Sequence, residues 1–182
     1  MAEDSWHFAG ADAGGFVAFE VLQDRARQAS LEQFIEEFPV PGALVIYKEP
    51  EGGPGAEVPN TGVQLLTVSV KSTAILQYLN RYAFLCKRPG NPFAHLISIG
   101  RSTKNDISIN VDSVSKVHGY FSCEGEDWSF TDHGSTNGSM LNGTDLDSGA
   151  KQVLRDGDLL RLGLEVNLEI FMPRSLYERA RR

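Results

Sequence analysis

Cysteine is scarce in this 182-residue chain: there are two, Cys86 and Cys123, each within an apolar, strand-like run. Two thiols cannot build the disulfide framework of a small secreted domain. A pair of buried free thiols in a reducing compartment is expected in preference to one lone disulfide. Positive charge is also in deficit, with 17 Lys and Arg against 24 Asp and Glu and a net charge of −7. That balance removes the basic field of a general nucleic-acid binder. It leaves room for an anion site, provided that the site gathers its cations locally. No apolar run is long enough to span a bilayer. Residues 1–12 lack the basic stretch and apolar core of a secretory signal, so a cytoplasmic location is expected. The sequon-like triplets at 137–139 and 142–144 then read as turn chemistry and not as sugar sites.

What is present has two textures. Residues 1–15, rich in Ala, Gly and Asp, read as a mobile end. From Phe16 to Phe38 the pattern is helical. Ser30 and Gln33 are spaced as a capping box ahead of an apolar stripe of Leu31, Phe34, Ile35 and Phe38, and Pro39 and Pro41 stop the run. A short strand over 43–47 leads into a Pro- and Gly-rich loop over 49–62, then a strand over 63–70 and a short helix over 72–80. Residues 1–81 thus read as a small α/β extension packed on the remainder of the chain, without a catalytic constellation.

After Arg81, short β-rich runs at 82–87, 94–99, 106–109, 119–123, 128–132, 139–141, 158–162 and 166–171 alternate with Gly, Asn, Asp and Pro. Many short strands with closely spaced turn signals and no helical crossover indicate a mainly β protein, a sandwich or a barrel. Asn142-Gly143 is a tight-hairpin signal, because both residues tolerate positive φ. Residues 173–182 carry four arginines against one glutamate and read as a basic, solvated terminal helix.

Metal and hydrolase chemistry are poorly supported. His95, His118 and His133 with Cys86 and Cys123 match no zinc spacing. Ser135 beside His133 and Asp132 consists of neighbours in a turn, which rarely face one another as a triad does. No metal, cofactor or enzyme activity is expected. Trp128 reads as a core residue and not as a stacking platform.

Four loop clusters remain: Gly100-Arg101; Ser115 to His118; Ser135 to Gly138 with Asn142-Gly143; and Gly157-Asp158 with Gly163. Each lies between two predicted strands, and loops at one end of a sandwich can converge on a ligand. Arg101 offers a planar fork of donors, Lys116 a second cation, Ser115 and Thr136 hydroxyls, and Asn137 an amide. The set suits an anion that is held without being reacted.

In order, Gly-Arg, Asn105-Asp106-Ile107, Ser-x-x-His, Trp-x-x-x-Asp-x-x-Ser-Thr-Asn-Gly, Asn-Gly, Leu-x-Asp-Gly-Asp (Leu154 to Asp158) and Gly163 resemble the forkhead-associated (FHA) signature from end to end. FHA domains are among the readers of phosphorylated motifs. The resemblance implies an FHA-type β-sandwich over 82–172, with 1–81 as the α/β extension and 173–182 as a basic tail. It implies that Arg101 and Ser115 bind phosphate oxygens of a phosphothreonine, that Lys116 adds a contact, that Thr136 positions the residue and that Asn137 bonds the adjoining peptide backbone. His118 would brace the loop that presents Ser115, with Gly100, Gly138, Asn142 and Gly143 as structural support. The implied partner is a threonine-phosphorylated protein on a Ser/Thr kinase pathway, bound with about micromolar affinity, about −8 kcal/mol.

Three positions are distinctive. Lys116 keeps positive charge but lacks the fork of Arg, Ser139 replaces the usual Thr, and Ser113 offers no basic group to select an acidic residue beyond the phosphothreonine. Residues 1–81 raise two further possibilities: phosphate-independent assembly through the apolar stripe, and docking of a phosphorylated Thr61 into the chain's own site.

Overall fold

The computed structural model describes residues 11–12, 15–47, 77–88, 91 and 95–182. The loop expected over 49–62, the strand over 63–70, Thr61 and residues 72–76 of the expected helix lie outside the described residues; residues 77–80 form turns.

Twelve strands are described: β1 (Phe16–Ala18), β2 (Gly42–Tyr47), β3 (Arg81–Phe84), β4 (Ile97–Gly100), β5 (Ile107–Ser108), β6 (Gly119–Glu124), β7 (Asp127–Asp132), β8 (Ser139–Leu141), β9 (Thr144–Asp145), β10 (Lys151–Val153), β11 (Leu159–Leu162) and β12 (Val166–Phe171). Three helices accompany them, α1 (Phe19–Gln28), α2 (Leu31–Glu37) and α3 (Pro173–Ala180). The strands form a seven-stranded sheet ordered β1-β3-β2-β12-β11-β8-β9 and a five-stranded sheet ordered β10-β7-β6-β4-β5. Among the described residues every strand pairing is antiparallel except that of β4 with β5.

Side-chain alternation explains the layering. Ala43 and Val45 of β2, Ala83 of β3 and Val166, Leu168 and Ile170 of β12 join the core between the sheets, with Ile97, Ile99, Phe121 and Phe130 from the other sheet. The alternate residues, Leu44, Tyr82, Phe84 and Phe171, enter a second core with Leu22, Ala26, Phe34, Leu176 and Tyr177 from the helices and Phe38, which caps the end of α2. A sheet buried on both faces needs near-continuous apolar strands, and that is the character of 82–85. The fold is therefore mainly β, a two-sheet sandwich with a helical layer on one outer face.

Three expectations change. First, the pairing does not break at residue 81. β2 lies between β3 and β12 and matches β12 through six residue pairs, from Gly42 with Phe171 to Tyr47 with Val166. Second, the helical run from Phe16 begins as a strand, since Phe16 to Ala18 pair with Ala83 to Arg81. It also breaks at Ser30, where the expected capping box forms: Gln33 N donates to Ser30 Oγ (3.3 Å) and Ser30 N to Gln33 Oε1 (2.9 Å). Third, the terminal segment is helical but not solvated. Leu176 and Ala180 are fully buried, and the Tyr177 ring lies 5.3 Å from that of Phe34. Phe34 and Phe38 of the α2 stripe are thus buried from within the chain, while Leu31 and Ile35 are half-buried. Of the two cysteines, Cys86 is half-buried but Cys123 is exposed at the end of β6, and both are free thiols.

Candidate functional site

Three connections at one end of the sandwich build the site: β4 to β5, β5 to β6 and β7 to β8. The ends are aligned by strand register, with Gly119 opposite both Ile99 and Asp132. The first two connections are zipped together by backbone. Arg101 N donates to Ser115 O (2.8 Å), Ser102 N to Lys116 O (3.1 Å) and His118 N to Ile99 O (2.9 Å). This proximity fixes residue 100 as glycine, because a Cβ there would stand 2.6 Å from Lys116 O and 2.9 Å from both Ser115 O and His118 N. At the other flank a Cβ on Gly163 would meet Ser113 O at 2.3 Å, and its φ of +63° already disfavours a side chain.

Buried polar side chains complete the frame. Asn105 donates to Ser102 O (2.8 Å) and Lys116 O (2.7 Å), clamping the same two loops. Asp106, whose carboxylate is wholly buried, accepts from Arg88 N, Asn91 Nδ2, Ser98 N, Ser98 Oγ and Lys87 Nζ at 2.7–3.2 Å. A buried carboxylate requires such saturation. Sequence alone assigns the Asn-Asp-Ile block no role; these two side chains are what it contributes.

His118 is fully buried and connects the second and third loops. Its Nδ1 accepts the Ser115 backbone N–H (3.1 Å), so its proton is on Nε2, which faces Gly138 O (3.2 Å) and Ser139 Oγ (3.1 Å). Ser139 Oγ in turn donates to Asp132 Oδ2 (2.5 Å), which also accepts from Ser135 Oγ (2.6 Å). Burial lowers the His118 pKa below its ordinary value, against the opposing pull of Asp132 and the Gly138 carbonyl. For Asp132, burial works to raise the pKa, but hydrogen bonds from Ser135 and Ser139 outweigh it and hold the group below the usual carboxylate range. Ser139 is thus a link between an acid and an imidazole, where the sequence suggests only a mild change at a strand start.

On this frame Arg101, Ser115, Lys116, Thr136 and Asn137 line one open depression of about 450 Å³, with Asp112 at its rim. Thr136 N donates to Ser115 Oγ (3.0 Å), and Ser115 Oγ to Thr136 Oγ1 (3.3 Å). Arg101 Nη1 lies 3.3 Å from Asp112 Oδ1, while Arg101 Nε is buried without an acceptor among the described residues. Asn137 Nδ2 donates to Ser113 O (2.9 Å). Gly100, His118 and Gly138 stand behind these groups. Asn142 and Gly143 do not line the depression. They form the β8–β9 hairpin, where Asn142 at φ 52° bonds Asp158 and the Leu159 N–H.

This arrangement has donors and no reaction chain. His118 takes the backbone N–H of Ser115, so it does not act as a base toward the Ser115 hydroxyl. The triplet of Ser135, His133 and Asp132 does not form either, because the His133 ring packs against Tyr120 (centroids 5.9 Å apart). Among the described residues, no cluster of three or more His, Cys, Asp or Glu is placed to hold a metal ion. Among the groups that line the hollow are two cations, the Ser115 and Thr136 hydroxyls, the Asn137 amide and the single carboxylate of Asp112, a set suited to holding an anionic group.

The family model of the FHA domain matches residues 97–163, the stretch that carries all the loops just described. No curated protein matches the chain. Among solved structures, an FHA domain studied for phosphothreonine-dependent FHA domain interactions is 25% identical, over 51% of this chain and 85% of its own, with a TM-score of 0.43. The FHA domain of an Arabidopsis thaliana hypothetical protein is 31% identical, over 42% of this chain and 66% of its own, with a TM-score of 0.41. An engineered FHA domain with a Myc-pTBD peptide is 18% identical, over 77% of this chain and 96% of its own, with a TM-score of 0.46. It is the family-model match that marks residues 97–163, and not the rest of the chain, as an FHA domain.

Proposed function

We propose that the chain is a phosphothreonine-dependent protein-binding module and not an enzyme. The observation that carries this is the convergence of Arg101, Ser115, Lys116 and Thr136 on one preformed hollow, with the buried Arg101 Nε lacking an acceptor among the described residues. An unpaired buried donor costs about 1–3 kcal/mol, which a phosphate oxygen would recover. A phosphothreonine brings roughly −1.5 to −2 charge and three strong acceptors. Arg101 and the Ser115 hydroxyl take phosphate oxygens, and Lys116 adds a point charge. Thr136 shapes the space beside the phosphothreonine methyl. Asn137 keeps its carbonyl oxygen and second N–H for the backbone of an extended ligand. Because the loops are already tied by Asn105 and His118, little ordering entropy is lost on binding.

The partner is a protein phosphorylated on threonine by a Ser/Thr kinase, met in the cytoplasm. Fluorescence anisotropy with a phosphothreonine peptide library and its unphosphorylated counterpart tests the proposal. Binding confined to the phosphorylated library is expected. Equal binding of both, or of neither, would overturn it.

A further inference from the structure

The depression is lined by two cations and one carboxylate, that of Asp112. Its side chain is 96% exposed, yet it sits 3.3 Å from Nη1 of Arg101, the cation that the proposed function assigns to phosphate. Phosphate and Asp112 therefore compete for the same guanidinium. A phosphate near its second ionisation carries more charge than a carboxylate and presents three acceptor oxygens, so it wins the fork. The released carboxylate stays in the loop between Val111 and Ser113, exposed and lining the same depression as Arg101 and Ser115.

We infer that Asp112 is a specificity-determining residue: the counter-ion of Arg101 in the empty site, and in the occupied site an acidic rim that favours a basic residue next to the phosphothreonine. The inference rests on the phosphothreonine reading and adds to it a charge preference. Three features of the molecule point the same way. Ser113 supplies no cation to attract an acidic ligand residue. Lys116, the other cation of the hollow, would be engaged by the phosphate. The body as a whole carries a charge of −7, so the field beyond the hollow also repels acidic ligands. Because the whole-body field acts on any charged peptide, the test must isolate Asp112 from it.

The experiment uses the full chain and one alanine-based phosphothreonine peptide, with Lys, Ala or Glu placed at each flanking position in turn, read by fluorescence anisotropy. Exposed charge pairs have small energies, so wild type should prefer Lys to Glu by about five- to tenfold at one or more positions. Asp112→Asn should reduce that ratio to about twofold and bind the all-alanine peptide about threefold more tightly, since Arg101 then has no internal competitor. Glu126→Gln, in the exposed β6–β7 hairpin at the opposite end of those strands, changes net charge equally and should leave the ratio as in wild type. An unchanged ratio in Asp112→Asn, or no Lys-over-Glu preference in a wild type that still binds the all-alanine phosphopeptide, would overturn the role of Asp112 and leave the phosphothreonine reading standing. Absence of phosphate-dependent binding to every peptide would overturn that reading itself, and the role of Asp112 with it.

Discussion

Adding one methyl group at Gly100 tests whether the phosphate-facing loops are held as tightly as the geometry requires. The Cβ of Gly100→Ala would lie 2.6 Å from Lys116 O, where ordinary contact begins near 3.4 Å, and its other close neighbours are also main-chain atoms. The 115–118 segment must therefore retreat by a sizeable fraction of an ångström. That retreat strains the bonds from Arg101 N to Ser115 O and from His118 N to Ile99 O. Overpacking of this kind costs about 1–3 kcal/mol, and the smaller freedom of alanine in the unfolded chain returns about 0.4–1 kcal/mol. Three main-chain clashes place the cost in the upper half of that range, so a net loss of about 1–2.5 kcal/mol is expected, or about 2–10 °C in Tm for a domain of this size. Gly42 is the internal control. A Cβ there meets the end of the Leu176 side chain at 3.3 Å, a flexible neighbour, so Gly42→Ala should be close to neutral. Thermal unfolding followed by circular dichroism, with anisotropy against a phosphothreonine peptide, reads both effects. Gly100→Ala should lose stability and peptide affinity together. A Gly100→Ala protein as stable as Gly42→Ala, with wild-type affinity, would refute the claim that the loop spacing is fixed there.

Two further predictions concern the supports of the site. Leu176→Ala should destabilise the protein by about 2–5 kcal/mol in urea unfolding, as a fully buried leucine does, and a change within about 0.5 kcal/mol would mean that α3 is the solvated tail the sequence suggests. His118 is held neutral in the fold, with its pKa lowered from an ordinary value of 6.5. The unfolded chain thus takes up the proton first as pH falls. The stability that His118 contributes is complete above about 6.5 and is lost as pH drops through its lower folded pKa. NMR titration of the His118 ring should give a midpoint below 6.5, with the urea midpoint falling from pH 7 to 5; a ring midpoint above 6.5 would contradict the brace.

Much of the site is legible in sequence because its chemistry is local. Arg101, Ser115, Lys116, Thr136 and Asn137 each lie within short blocks between strands, and the fold brings all five to one depression. The capping box at Ser30 is equally local. Relations across distance are what the sequence hides. Nothing in the six residues of β2 states that their partner is β12, well over a hundred residues later. The arginines of α3 mask the buried face made by Leu176, Tyr177 and Ala180, because Arg179 and Arg181 lay their guanidinium groups over the Phe171 and Tyr177 rings. Ser139 differs little from threonine in isolation, and only the positions of Asp132 and His118 make it a link. Asp112 gives no signal beyond being an acid in a loop; its proximity to Arg101 depends on how two loops pack.

The most direct measurement is calorimetric titration of one phosphothreonine peptide into wild type and Arg101→Ala, with thermal unfolding to confirm that both are folded. Removing a cation that faces a bound phosphate costs about 2–5 kcal/mol, so affinity should fall by at least about thirtyfold. Equal affinity in the two folded proteins would contradict phosphate recognition at this site.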